Sequence, residues 1–69
     1  MELTLTRNTI NYIEALYAEY GRGYTALYAR QHYFGEIRPG MSFLLSLVDA
    51  VYEGNYWMDA DGEHGHVLV

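Results

Sequence analysis

The chain has 69 residues, no cysteine, no lysine and a formal net charge of −5, which bounds it to one small domain without disulfides or a Cys-type zinc site. Four arginines offset the four acids of residues 1–38, whereas residues 39–69 hold Asp49, Glu53, Asp59, Asp61 and Glu63 with no Lys or Arg. Direct nucleic-acid binding, which needs a clustered basic patch, is a poor fit to that distribution; a basic partner fits it better.

Residues 2–6, ELTLT, alternate Leu3 and Leu5 with polar residues and predict a short strand with one buried face. Thr6 is placed to cap a first helix, in which Ile10, Ile13, Tyr17 and Tyr20, with Leu16 beside them, recur at helical spacing. That helix should close at Gly21 or Gly23. A second helix is expected from Thr25, as cap, to about Phe34, with Gly35 as terminator and Tyr24, Leu27, Tyr28 and Phe34 facing inward. At so small a size, buried aromatics are the expected compensation for a limited core: the chain has eight Tyr, two Phe and one Trp.

After the connection GEIRPG, in which Pro39 takes Arg38 out of helical conformation, comes the most apolar run, MSFLLSLVDAVY, from Met41 to Tyr52. Leu44, Leu47, Val48 and Val51 form a stripe at i, i+3, i+4 and i+7, which Leu45 and Tyr52 widen. Ser42, Ser46, Asp49 and Glu53 fall on the opposite, exposed side. This third helix is the element around which the rest is expected to pack, and Gly54 should end it.

The last fifteen residues, NYWMDADGEHGHVLV, read as a hairpin turning near Asp61-Gly62. A two-residue turn sets Asp59 against His64 and Trp57 against His66, and puts Tyr56, Met58, Val67 and Val69 on a buried face. A three-residue loop would oppose Asp59 and Glu63, a like-charge pair, and is disfavoured. The fold class that follows is α+β, in the order β-α-α-α-β-β: three helices on a small antiparallel sheet made of the N-terminal strand and the C-terminal hairpin.

Several sharper readings meet physical objections. His64 and His66 share one strand face, and Asp59 could supply a third metal ligand, but a polar turn with an Asp59–His64 ion pair explains the same residues; no metal or cofactor is expected. No Gly-rich phosphate motif or pocket-forming loop points to catalysis, so the expected role is non-enzymatic. The element order resembles a winged helix-turn-helix, yet the third helix, which would read DNA, presents Ser42, Ser46, Asp49 and Glu53, and the two acids repel phosphate. No apolar run reaches membrane-spanning length, and an intracellular, cytoplasmic protein is expected.

In its short unbroken domain and its acids Asp49, Glu53, Asp59, Asp61 and Glu63 without an intervening base, the chain resembles the small acidic anti-CRISPR proteins of phages and mobile elements, more particularly the type I-C inhibitors. The resemblance implies binding to the basic DNA-accepting surface of a Cascade effector subunit; the chain itself is expected to be a monomer or homodimer. Those five carboxylates would stand in for DNA phosphates. The alternative from the residues alone is a small acidic protein–protein interaction module, winged-helix-like, that does not bind DNA directly.

Overall fold

A computed structural model describes all residues from Met1 to Val69. Strand β1 (Glu2–Thr6) leads into helices α1 (Arg7–Tyr20) and α2 (Arg22–Ala29), a π-helical turn (Arg30–Phe34), helix α3 (Met41–Tyr52) and the hairpin strands β2 (Tyr56–Met58) and β3 (His64–Leu68). The sheet is antiparallel in the order β1-β3-β2, so the last strand lies between the first and the hairpin partner. The chain is thus an α+β domain of three helices and one three-stranded sheet.

The local signals act as their chemistry requires. Thr6 caps α1, its hydroxyl oxygen accepting from the Thr9 amide at 3.2 Å. Gly21 ends the helix at φ 90°, a left-handed conformation that glycine adopts without a Cβ penalty, and donates its N–H to the Tyr17 carbonyl at 3.0 Å. Helix α3 is the hub: Leu44, Leu47, Val48, Ala50 and Val51 are buried, against Ile10 and Ile13 of α1, Ala26 and Ala29 of α2, and Val67 of β3. Leu3, Leu5, Tyr56 and Met58 pack on this core from the sheet. Gly65 belongs to the same contact: a Cβ there would stand 2.3 Å from Ile10 Cδ1, so the missing side chain is what lets α1 lie on β3.

The aromatic expectation is corrected. Helix α2 starts at Arg22 and faces inward with Thr25, Ala26 and Ala29, while Tyr24 and Leu27 are about half exposed. Thr25 is therefore no cap; it is fully buried, its hydroxyl donating to the Gly21 carbonyl at 2.8 Å. Small side chains let α2 approach α1 and α3 closely, and this displaces the large rings to the surface. Tyr20 and Tyr52, expected on inner stripes, are likewise exposed. Tyr52 stacks on Tyr17 with ring centroids 4.1 Å apart, covering the α1–α3 seam from outside.

The hairpin has the expected register, Tyr56 opposite Val67, Trp57 opposite His66 and Met58 opposite Gly65. Its loop is longer than two residues. Gly62 N–H donates to the Asp59 carbonyl at 2.9 Å, a turn centred on Ala60-Asp61 with Gly62 at φ 71°, and Glu63 completes the connection. The Asp61 carboxylate accepts from the Glu63 amide at 2.8 Å and holds the loop in this wider form. Arg7 pins it to the start of α1 through its amide on the Glu63 carbonyl at 2.8 Å and its Nε on the Gly62 carbonyl at 3.1 Å. Arg38 leaves the right-handed region as expected ahead of Pro39, but by entering the left-handed one, at φ 47°.

Candidate partner-binding surface

The five acids singled out in the sequence fall in two places, Asp49 and Glu53 on α3 and its C-cap, and Asp59, Asp61 and Glu63 in the hairpin connection. Asp49 lies in the last turn of α3 beside Tyr17 and Arg22; Asp61 and Glu63 lie in the loop that Arg7 fastens to the first residue of α1. Tyr17 and Arg7 are separated by about 15 Å along α1 at 1.5 Å per residue. The single strip running from α3 into the hairpin, which their order in the chain suggested, is therefore divided.

They also differ in what their carboxylates already hold. Asp49 is half-buried and fully engaged: Arg22 Nε donates to Oδ1 at 3.0 Å, Arg22 Nη2 to Oδ2 at 2.7 Å, and the Tyr17 hydroxyl to Oδ1 at 2.8 Å. The Arg22 guanidinium, helped by the Tyr17 hydroxyl, holds the Asp49 carboxyl below its ordinary value against the opposing effect of burial. A carboxylate so committed joins three helices and is a poor stand-in for a phosphate. Its placement on the free face of α3 is corrected accordingly. The sequence left this hidden because Arg22 sits 27 residues away, in a stretch that reads as the gap between two helices.

Glu53, Asp59, Asp61 and Glu63 are exposed. Glu53 closes α3, and its side chain takes part in no hydrogen bond or ion pair; the same holds for the side chain of Glu63. Asp61 is held down in pKa chiefly by the Glu63 amide, with His64 adding through an ion pair at 3.5 Å. Asp59 pairs with His66 and not with His64: Oδ1 lies 2.5 Å from His66 Nε2, while only the backbone N–H of Asp59 reaches the His64 carbonyl, at 2.8 Å. The sheet pleat explains the switch. Trp57 and Asp59 project to one face of β2 and its extension; His66 stands opposite Trp57, two residues along β3 from the position facing Asp59, so this diagonal partner is within reach.

His66 is the centre of a polar cluster on the face of the sheet turned away from the helices. Its Nδ1 is 3.1 Å from Glu2 Oε2 and 3.3 Å from Thr4 Oγ1, and the Trp57 ring stacks on it with centroids 5.5 Å apart. Asp59 above all, with Glu2, raises the His66 pKa from 6.5. The metal grouping considered from the sequence changes with this: the ligand atoms of Asp59, Asp61 and His64 lie within 4.8 Å of one another, whereas His66 is taken up by Asp59 and Glu2.

A second surface was missed because aromatic residues at helical spacing read as core. Tyr12, Tyr20, Tyr24, Leu27 and Tyr33 are all more than a third exposed. Tyr28 links Tyr12 at 5.5 Å, His32 at 4.0 Å and Tyr33 at 6.2 Å, and Tyr20 and Tyr24 form a separate pair at 4.7 Å. The signal that could have revealed it is the Ala26 and Ala29 pair, whose small side chains mark the close-packed side of α2.

Fold and surface together define a small acidic α+β domain with one anionic hairpin edge and one aromatic helical face. No family model, curated protein or solved structure matches the chain. No helix is long and apolar enough to cross a membrane.

Proposed function

We propose that the chain is a non-enzymatic binding inhibitor of a type I CRISPR Cascade effector, which it blocks by laying acidic side chains into a groove that accepts target DNA. The observation that supports this reading is the distribution of charge: residues 39–69 carry five acids and no Lys or Arg, and four of those acids are exposed. A groove shaped for phosphates is a natural counterpart, since its lysines and arginines meet carboxylates by the same charge complementarity. The contact set is Asp59, Asp61 and Glu63 in the hairpin loop, with Glu53 a separate contact at the end of α3; Asp49 is held in the scaffold by Arg22. The loop suits the role because Arg7 and the Asp61 carboxylate fix its shape before binding, which limits the entropy lost on docking.

The test is a pull-down of purified Cascade with the tagged protein, with and without target DNA bound beforehand. Capture by the free effector and loss of capture by the DNA-loaded one are expected. Equal capture of both would refute occupation of the DNA path.

The exposed aromatic face favours a second reading, a protein–protein interaction module that acts as a dimer or on another regulator. Sedimentation of the isolated protein separates the two. A stable dimer broken by Tyr24→Ser and Leu27→Ser would favour the module.

A further inference from the structure

The four arginines are unequal. Arg7 donates to the Gly62 carbonyl and Arg22 grips Asp49, but Arg30 and Arg38 form no ion pair with any of the nine acids. Both line the same open groove, together with Leu27, Gln31 and Gly35. Glu36, the acid nearest to Arg38 in sequence, does not neutralise it. Two positive charges thus share one concavity in a protein whose net charge is −5.

Two further observations mark the groove as more than a solvated surface. Arg30 Nε is buried and has no hydrogen-bond partner, a state that costs free energy until an acceptor meets the N–H. The backbone that brings the two arginines together is also unusual: a π-helical turn carries Arg30 and Gln31, Gly35 turns at φ 52°, and Arg38 holds φ 47°, a region that non-glycine residues rarely occupy.

We infer that Arg30 and Arg38 form a binding site for a phosphate monoester, with the Gln31 carboxamide as a further donor. The inference stands apart from the CRISPR reading. An arginine presents its N–H groups as a planar fork that matches two oxygens of a phosphoryl group, and Arg30 and Arg38 each bring one to the same groove. Charge selects among oxyanions: two guanidiniums balance the near-dianion of a monoester, whereas a carboxylate or a phosphodiester carries a single negative charge. Leu27, beside the arginines and half exposed, offers apolar contact to whatever the phosphate is attached to.

The experiment follows the arginine Nε–H resonances of the whole protein by NMR during titration with inorganic phosphate, O-phosphoserine and adenosine monophosphate. Acetate and sodium chloride at matched ionic strength are the controls. Saturable shifts of Arg30 and Arg38 with the phosphates, absent for Arg22, are expected, and the tighter of the two esters names the source. Arg38→Gln, an exposed change that leaves the fold intact, should weaken phosphate by about tenfold, the loss of one charged hydrogen-bonded contact. Shifts reproduced by acetate or chloride, or affinity unchanged in Arg38→Gln, would overturn the site.

Discussion

Arg22 holds Asp49 with two hydrogen bonds, Nε to Oδ1 at 3.0 Å and Nη2 to Oδ2 at 2.7 Å, and thereby ties the start of α2 to the last turn of α3. The pair separates two acids, Asp49 and Glu53, that lie four apart on one helix and look equivalent in the sequence. Asp49→Ala should lower stability by about 1–2 kcal/mol, since it removes a charged hydrogen-bonded pair and the acceptor of the Tyr17 hydroxyl. Glu53→Ala should change it by less than about 0.5 kcal/mol, as surface changes do. Urea titration of both variants checks this; equal losses would contradict the assignment of Asp49 to the scaffold. Because the folded Asp49 carboxyl lies below 3.8, its contribution is present above that pH and is lost as pH falls through the lowered value.

His66 gives a pH dependence of opposite sign. Its pKa is raised from 6.5 by Asp59 first and Glu2 second, so the stabilisation is complete below 6.5 and disappears as pH climbs through the raised folded value. Trp57, the only tryptophan, stacks on the imidazole and reports its charge. A fluorescence titration should show a transition above pH 6.5 that moves down in Asp59→Asn. A midpoint at or below 6.5 in the wild type would mean the Asp59 contact does not persist in solution.

Glycine substitutions probe the packing of α1 on the sheet. Gly65→Ala forces a methyl to within 2.3 Å of Ile10 Cδ1 and 3.0 Å of Met58 Sδ, and should cost about 1–3 kcal/mol of stability. Gly23→Ala, in the first turn of α2 with nothing within 4 Å of the added carbon, should instead stabilise by about 0.4–1 kcal/mol through the unfolded chain. A melting temperature that does not fall in Gly65→Ala would show that α1 does not sit on β3 this closely.

The parts of the fold legible in the sequence are those set by local pattern. The alternation of Leu3 and Leu5, the Thr6 cap, the α3 stripe and the hairpin register each depend on residues within a few positions of one another. What was misjudged depends on partners far along the chain. Tyr24 and Leu27 look like core until Ala26 and Ala29 are known to face α3, and Asp49 looks free until Arg22 meets it across 27 residues. Among the candidate site residues, Glu53 and Glu63 are exposed acids whose side chains have no hydrogen bond or ion pair. Asp59 and Asp61 are exposed but serve His66 and the loop as well.

Glu53 and Glu63 are therefore the acids whose reversal isolates the surface from the fold. Glu53→Lys with Glu63→Lys should leave the circular dichroism spectrum unchanged and weaken binding to the effector, and wild-type binding should itself fall steeply as salt rises. A doubly reversed protein that binds at wild-type strength would remove these two positions from the contact set.

The most direct measurement is the displacement of labelled target DNA from purified Cascade by the wild-type protein at several DNA concentrations. Competition for one groove predicts that the concentration needed for half displacement rises in proportion to the DNA, with no complex containing both. A half-displacement point independent of DNA, or an effector carrying DNA and protein together, would contradict phosphate mimicry.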